Sequence, residues 1–277
     1  MTREFLIGQI REKKSYLCVG LDTDPAKIPR HLTSKPDAIF QFNKEIIDAT
    51  LDLCVAYKIN TAFYEAMGTE GWEIMKRTAA YIPETHFKIA DAKRGDIGNT
   101  ADQYAKAFFE KMNFDAITVS PYMGRDSITP FLQYPGKWAI VLALTSNNGS
   151  NDFQQLTFDA KPLYQHVVEK VSGWGTPDNL FFVVGATRSE ELSAIRKLVP
   201  DHFFLVPGVG FQGGNLDEVS RSAMNADVGI LVNVSRAIIY AGDKENFATE
   251  ARAIALQYVE EMKNYMSMSN PPTKLPN

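Results

Sequence analysis

Eight short apolar runs, separated by longer amphipathic segments, constrain the fold of this chain more than any other sequence feature. The runs are four to seven residues long and rich in Val, Ile, Phe and Tyr, which is typical of buried β-strands. They span residues 16–21, 53–59, 86–90, 116–119, 138–144, 180–184, 202–206 and 228–232. Between them, apolar residues at helical spacing predict helices over residues 37–52, 101–111 (with Thr100 as its N-cap), 163–171, 189–198, 216–224 and 246–262.

The alternation of strands and helices predicts a parallel sheet. Eight strand–helix units in about 250 residues fit a single closed (β/α)8 barrel, the TIM barrel, and a doubly wound open sheet is the alternative. No linker rich in Pro, Gly or Ser divides the chain. We therefore predict one α/β barrel domain over residues 1–265 and a C-terminal tail over residues 266–277, where three prolines occur and helical periodicity is weak.

Composition and charge exclude several classes of protein. Hydrophobic residues make up 45% of the 277-residue chain and charged residues 22%, a balance typical of globular proteins. The net charge of −4 gives no global attraction for nucleic-acid polymers or anionic membranes. No apolar stretch approaches the roughly 18 residues that a membrane span needs, and the first residues lack secretory-signal features. With Cys18 and Cys54 expected as reduced core thiols, we predict a cytoplasmic protein.

Charged residues occur where the first three apolar runs end. Asp22 follows the first run, and Lys58 lies near the end of the second. Asp91 and Lys93 follow the apolar start of the third run and are two residues apart, so in a strand both side chains point to the same face. Because the carboxyl ends of barrel strands form the active-site face, the pattern predicts that these charges meet at one mouth of the barrel.

A set of four charges near that mouth has no net charge, namely Lys58, Asp91, Lys93 and Asp96. Each ion compensates its neighbours, so the set can stay ionised with little water. The carboxylates of Asp91 and Asp96 are expected to keep Lys93 protonated. An ammonium group held there can stabilise a developing carbanion and then donate a proton to it.

A glycine-rich segment after the seventh run predicts a phosphate site. Gly208, Gly210 and Gly213 form a G-x-G-x-x-G pattern, and glycines let backbone N–H groups approach an anion closely. The pattern is a weak match to a dinucleotide fingerprint, because it falls late in the chain and Asn233 stands where an acidic residue is expected. Arg236, after the eighth run, can hold a phosphate through two hydrogen bonds.

The segment DAKRGDIGNT, from Asp91 to Thr100, resembles the signature of the orotidine 5′-phosphate decarboxylase family, whose core pattern is D-x-K-x-x-D-I. Further matches follow in family order at residues 20–22, 57–60, 144–146, 185–187, 207–214 and 235–240. The chain length and the end of the eighth run are similar to those of the family's longer bacterial subgroup.

The resemblance implies a cofactor-independent decarboxylation of orotidine 5′-monophosphate to uridine 5′-monophosphate and CO2, the last step of de novo uridine 5′-monophosphate synthesis. Lys93 would donate a proton to C6, and Asp91 would lie beside the leaving carboxylate. Lys58 would bridge Asp91 and the ribose hydroxyls, and Asp22 would also bind the ribose.

The resemblance also implies contacts to the base, to the phosphate and between subunits. Ser146 would hydrogen-bond the pyrimidine, and Gln212 and Arg236 would hold the phosphate. A homodimer with shared active sites is implied, because three residues would act in the neighbouring subunit's site, namely Asp96, Ile97 and Thr100.

Two alternatives stay open. Related barrels that decarboxylate or synthesise sugar phosphates share the D-x-K-x-x-D pattern, but they use Mg2+ with an acidic residue where this chain has Lys58. The other alternative is a catalytically silent nucleotide-binding barrel, although a mere binder does not need four buried charges. The four histidines form no zinc-binding pattern, and no metal or cofactor motif accompanies the charged cluster. We therefore expect neither a metal nor another cofactor, as the resemblance also implies.

Overall fold

The computed structural model describes residues 1–210 and 213–269, and a closed barrel of eight parallel strands lies at its centre. The barrel strands, numbered in chain order, are β1 Leu17–Gly20, β2 Ala56–Asn60, β3 Phe87–Arg94, β4 Ala116–Val119, β5 Trp138–Leu144, β6 Leu180–Val184, β7 Phe203–Pro207 and β8 Ile230–Val234. Each strand pairs in parallel with the next, and β8 closes the barrel on β1. Every strand overlaps a predicted run, so the single TIM barrel is confirmed and the open-sheet alternative is wrong.

Helices connect the strands, and all six predicted helices are present. The α-helices span Arg3–Lys13, Arg30–Thr33, Ala38–Thr50, Thr61–Glu65, Gly68–Tyr81, Gly98–Ala105, Thr129–Leu132, Ser150–Phe153, Leu163–Ser172, Ser189–Leu198, Leu216–Ala223, Arg236–Ile239 and Phe247–Ser269. A π-helical turn, Lys106–Lys111, continues the helix Gly98–Ala105. Among residues 1–210 and 213–269, no helix combines the length and the apolar character that crossing a bilayer requires.

Two helix ends differ from the predictions. Thr100 is not an N-cap, because the helix begins at Gly98, whose φ of 53° turns the chain into the helix earlier. The last helix continues to Ser269, since Tyr265 and Met266 still pack against the core. The first four residues of the predicted tail are therefore helical, and residues 270–277 lie outside the described part of the chain.

Two longer helices were missing from the predictions, Arg3–Lys13 and Gly68–Tyr81. The first buries a charged residue together with its apolar ones, which weakens the apolar pattern. Arg3 donates to the Pro177 carbonyl at 2.8 Å and forms an ion pair with Asp227 at 3.2 Å. The helix is thereby attached to loops at the amino-terminal end of the barrel.

Aromatic side chains fill that end of the barrel. The ring of Phe181 on β6 stacks on Phe87 of β3, with centroids 5.6 Å apart, and on Phe203 of β7, at 5.0 Å. Trp138 of β5 packs edge-on against Phe181 at 4.8 Å. Because β3 and β6 are not neighbours, the contact between Phe87 and Phe181 crosses the barrel interior. This end is a packed core, so a ligand can enter only from the carboxyl ends of the strands.

We expect Phe181→Ala to lower the free energy of unfolding by about 3–5 kcal/mol, because it removes a fully buried ring that three other rings contact. Urea unfolding followed by tryptophan fluorescence measures the change. The matched control is Phe153→Ala, which truncates a ring that is 65% exposed and should change stability by no more than about 0.5 kcal/mol. Equal losses in the two variants would contradict the central position of Phe181 in the core.

Candidate active site

The carboxyl ends of the strands surround a cavity of ≈ 320 Å³. Polar side chains occupy the part of its wall formed by β1, β2 and β3, whereas Leu142, Val183 and Leu205 form an apolar part opposite. Such a mixed pocket suits a small ligand with an apolar part and several polar groups. The cavity brings together seven of the residues predicted from the sequence, namely Asp22, Lys58, Asp91, Lys93, Ser146, Gly208 and Arg236.

Four of these residues form a continuous chain of ion pairs with alternating charge. The Nζ atom of Lys58 lies 3.3 Å from Oδ1 of Asp22 and 3.0 Å from Oδ2 of Asp91. The other oxygen of Asp91, Oδ1, accepts a hydrogen bond from Nζ of Lys93 at 2.7 Å. The predicted meeting of charges from the first three strands is therefore present, and Asp91 is its centre.

Within this chain of ion pairs, burial decreases from Lys58 through Asp91 to Lys93. The side chain of Lys58 is only 4% exposed, whereas that of Lys93 is 52% exposed. Burial alone would lower the pKa of Lys58, but the carboxylates of Asp22 and Asp91 outweigh burial and raise this pKa above its usual value. Lys58 is therefore a fixed cation, and Lys93 presents its ammonium group to the cavity.

Asp91 is held as a carboxylate by the same contacts. Burial alone would raise its pKa, but the two neighbouring ammonium groups, on Lys58 and Lys93, lower the pKa well below its ordinary value. A further hydrogen bond comes from β4, where the Thr118 hydroxyl donates to Oδ1 of Asp91 at 2.9 Å. The carboxylate stays ionised across the whole neutral pH range.

The backbone of β3 is irregular where it carries these residues. Its pairing with β4 shifts register between Ala90 and Arg94, and Lys93 adopts a φ of 46° in the left-handed region. A lysine rarely adopts this conformation, and such strain occurs often at active sites. The predicted shared face of Asp91 and Lys93 is thus present, although a bulge rather than a regular strand produces it.

Asp96 departs from the prediction that it helps to hold Lys93. Among the residues that the structure describes, its carboxylate forms no ion pair, and its Oδ1 accepts a hydrogen bond from the backbone N–H of Ile97 at 2.8 Å. Asp96, Ile97 and Thr100 do not line the cavity of their own chain. The side chain of Ile97 is 50% exposed, which is unusual for isoleucine.

The three glycines of the pattern after β7 adopt left-handed backbone conformations that favour glycine. Gly208, Gly210 and Gly213 have φ angles of 99°, 81° and 85°. A Cβ atom at Gly210 would also collide with the hydroxyl of Tyr258 from the last helix, so a side chain there would require the tyrosine to move. Gly208 and Arg236 both line the cavity, after the paired strands β7 and β8. Gln212 lies outside the described residues.

Several polar residues of the site were not recognised from the sequence. Asn60, Asn147 and Asn233 line the cavity, and Thr118 contacts Asp91 from behind. Asn60 lies in the family-matching segment 57–60, and its place at the carboxyl end of β2 is the signal that could have identified it. Thr118 gives no such signal, because a buried threonine is ordinary in a strand.

The segment after β5 is long and partly ordered by its own hydrogen bonds. It contains the helix Ser150–Phe153 and a short antiparallel pair, Thr157–Phe158 with Lys161–Pro162. The side-chain oxygen of Gln154 accepts a hydrogen bond from the backbone N–H of Thr145 at 2.8 Å. The segment is thereby fastened beside Ser146 at the rim of the cavity.

This chain is similar to proteins that are named orotidine 5′-phosphate decarboxylase. The chain is 55% identical over 267 residues to an orotidine 5′-phosphate decarboxylase of Bacteroides fragilis, covering 95% of this chain and 97% of the relative. A homologue of the same name from Flavobacterium johnsoniae is 56% identical over 265 residues, covering 95% of this chain and 97% of the relative.

The chain is also similar to a solved structure. The OMP decarboxylase of Leishmania donovani is 40% identical, with a TM-score of 0.83 over 96% of this chain and 98% of that one. Residues 15–251 match the family model described as "Orotidine 5'-phosphate decarboxylase / HUMPS family". The chain therefore belongs to the orotidine 5′-phosphate decarboxylase/HUMPS family.

Proposed function

We propose that this enzyme, an orotidine 5′-phosphate decarboxylase, converts orotidine 5′-monophosphate to uridine 5′-monophosphate and CO2 with Lys93 as the proton donor and without a cofactor. The observation that carries the proposal is the chain of ion pairs from Asp22 to Lys93, which ends in a half-exposed ammonium group at the cavity. The reaction is the last step of de novo uridine 5′-monophosphate synthesis, and we place it in the cytoplasm.

The chemistry needs an electrostatic partner more than a covalent one. When the bond between C6 and the carboxyl carbon breaks, its electron pair stays on C6 in an orbital that the ring cannot delocalise well. The ammonium group of Lys93 stabilises this developing carbanion and then transfers a proton to C6. Asp91 holds that ammonium group at 2.7 Å, so the charge is already oriented before the substrate arrives.

Binding uses groups remote from the reacting carbon. Asp22 and Lys58 bind the ribose hydroxyls, Ser146 hydrogen-bonds the pyrimidine, and Arg236 binds the phosphate together with Gln212 and the loop of Gly208, Gly210 and Gly213. Phosphate binding far from C6 contributes energy that holds the ring against the charges. The distribution of charged and apolar walls around the cavity supports this orientation.

We further propose a homodimer with shared active sites, in which Asp96, Ile97 and Thr100 complete the neighbouring subunit's site. Two observations support it. Asp96 forms no ion pair within the described part of its own chain, and Ile97 exposes an apolar side chain beside it. A partner that covered this face would bury Ile97 and bring Asp96 to a second Lys93.

Lys58 distinguishes this function from a Mg2+-dependent reaction on a sugar phosphate. Its ammonium group already forms ion pairs with Asp22 and Asp91, the two carboxylates that a divalent ion at this position would need. The silent-barrel alternative leaves unexplained why Lys93 is held in a strained conformation at the cavity.

Lys93→Ala should lower kcat by at least about 1,000-fold, because it removes both the charge that stabilises the carbanion and the proton donor. The loss of orotidine 5′-monophosphate absorbance measures turnover, and calorimetry with uridine 5′-monophosphate tests whether the nucleotide still binds. Lys263→Ala, on the exposed side of the last helix, is the matched control. Substantial turnover by a clean Lys93→Ala preparation would rule out Lys93 as the proton donor.

Arg236→Ala should lower kcat/KM by about 10- to 100-fold, mainly through a higher KM, because the phosphate loses charge-assisted hydrogen bonds. Steady-state kinetics compare this variant with Arg221→Ala, which removes a 60% exposed arginine from the helix Leu216–Ala223. If the two variants have the same efficiency as the parent, Arg236 does not bind the phosphate.

Mixing Asp96→Asn subunits with Lys93→Ala subunits should restore activity that neither variant has alone. Random reassortment into heterodimers gives one intact site in half of the dimers, or about one quarter of the parental activity. Differently tagged subunits prove that heterodimers form before the assay. Proven heterodimers without activity would contradict shared sites.

A further inference from the structure

We infer that Thr118 is a positioning residue for Lys93, whose hydroxyl fixes the lysine backbone and the carboxylate of Asp91 at the same time. The inference rests on the proposed role of Lys93 as the proton donor. Thr118 lies on β4, and its side chain is buried. It does not line the cavity, so it acts through its neighbours.

The hydroxyl of Thr118 makes two hydrogen bonds of different direction. Its Oγ1 accepts from the backbone N–H of Lys93 at 2.9 Å and donates to Oδ1 of Asp91 at 2.9 Å. The same Oδ1 accepts from Nζ of Lys93 at 2.7 Å. Both ends of the lysine, its backbone nitrogen and its ammonium group, are therefore connected through one hydroxyl and one carboxylate oxygen.

The irregular pairing of β3 with β4 explains why a side chain is needed here. Ala90 pairs with Ile117 and Arg94 with Val119, so three residues of β3 lie opposite the single residue Thr118. A regular ladder would give the N–H of Lys93 a carbonyl partner, but the bulge removes it. The hydroxyl of Thr118 replaces that carbonyl and accepts a hydrogen bond from an N–H group that would otherwise lack this partner.

The direction of the hydroxyl proton follows from its surroundings. The backbone N–H of Lys93 can only donate, so Thr118 must accept there. Its single proton is then available for Asp91, which is an ionised acceptor. Asp91 thus receives hydrogen bonds from Lys58, Lys93 and Thr118, and its orientation is fixed from three sides.

This arrangement holds Lys93 in a conformation that it would otherwise leave. Its φ of 46° is unfavourable for a lysine, and no glycine occupies the position to relieve the strain. The hydrogen bond from Lys93 N–H to Thr118 fixes the peptide plane before the strained residue. Loss of the hydroxyl would let the backbone relax and move the ammonium group away from the reacting carbon.

Thr118→Val is the test substitution, because valine has nearly the shape of threonine but no hydroxyl. We expect kcat for orotidine 5′-monophosphate to fall by about 10- to 100-fold, with KM within about threefold of the parent, since displacement of a catalytic group has costs of this size. Thr118→Ser, which keeps the hydroxyl, should retain kcat within about threefold. Calorimetry should give the same affinity of uridine 5′-monophosphate for all variants.

The matched control is Thr50→Val. Thr50 is also fully buried and bonds two oxygens, the Ile46 carbonyl at 2.8 Å and the Tyr57 hydroxyl at 2.8 Å, but it is remote from the cavity. All assays are made below the unfolding midpoint of each variant. If Thr118→Val proves unstable, Thr118→Ala and Thr118→Ser form a second pair that differs only in the hydroxyl oxygen.

The outcomes separate this inference from the proposed function. A low kcat in the variants without a hydroxyl, with recovery in Thr118→Ser and no loss in Thr50→Val, supports the positioning role. A kcat within threefold of the parent in Thr118→Val, or equal losses in the serine and alanine variants, overturns it. If Lys93→Ala is inactive while Thr118→Val is fully active, only the role of Thr118 fails.

Discussion

The buried ammonium group of Lys58 and its two carboxylate partners form the interaction on which the rest of the site depends. A lysine with a 4% exposed side chain is stable as a cation only where opposite charges replace its hydration shell. Asp22 and Asp91 do this, and their contacts with Lys58 fix both carboxylates in turn. Asp91 can therefore orient Lys93, which solvent would otherwise leave free to change rotamer. The buried ion pairs thus orient the half-exposed Lys93 at the mouth of the barrel through charges of alternating sign.

The amino-terminal end of the barrel contributes mainly to stability, and the carboxyl end contains the candidate active site. At the amino-terminal end, stacked rings such as Phe87, Phe181 and Phe203 bury large apolar areas without polar groups. At the carboxyl end the structure contains a bulge, a left-handed lysine and a buried ion pair, each of which costs free energy. The apolar packing at the amino-terminal end offsets the free-energy cost of these features. The loops at the carboxyl end can therefore be shaped for a ligand.

Regular features of the fold were predictable from the sequence, and irregular ones were not. Apolar runs identified all eight strands, and the two-residue spacing of Asp91 and Lys93 correctly placed them on one face. The bulge between them has no sequence signal, because no glycine marks it, and Thr118 resembles any β-branched strand residue. Asp96 was expected beside Lys93 because it is close in sequence, but beyond β3 the chain turns its carboxylate toward the N–H of Ile97. The helix Arg3–Lys13 was missed because only Leu6, Ile7 and Ile10 form its buried apolar face.

The contact between Gly210 and Tyr258 provides a reason for glycine at position 210 that is independent of anion binding. The hydroxyl of Tyr258 occupies the space that a side chain at position 210 would need, and the φ of 81° also favours glycine there, whether or not an anion binds. One of the three glycines of the pattern is therefore explained by tertiary packing against a helix that follows it by more than thirty residues. The last helix, none of whose described residues lines the cavity, thus restricts the side chain at one position of this glycine-rich segment.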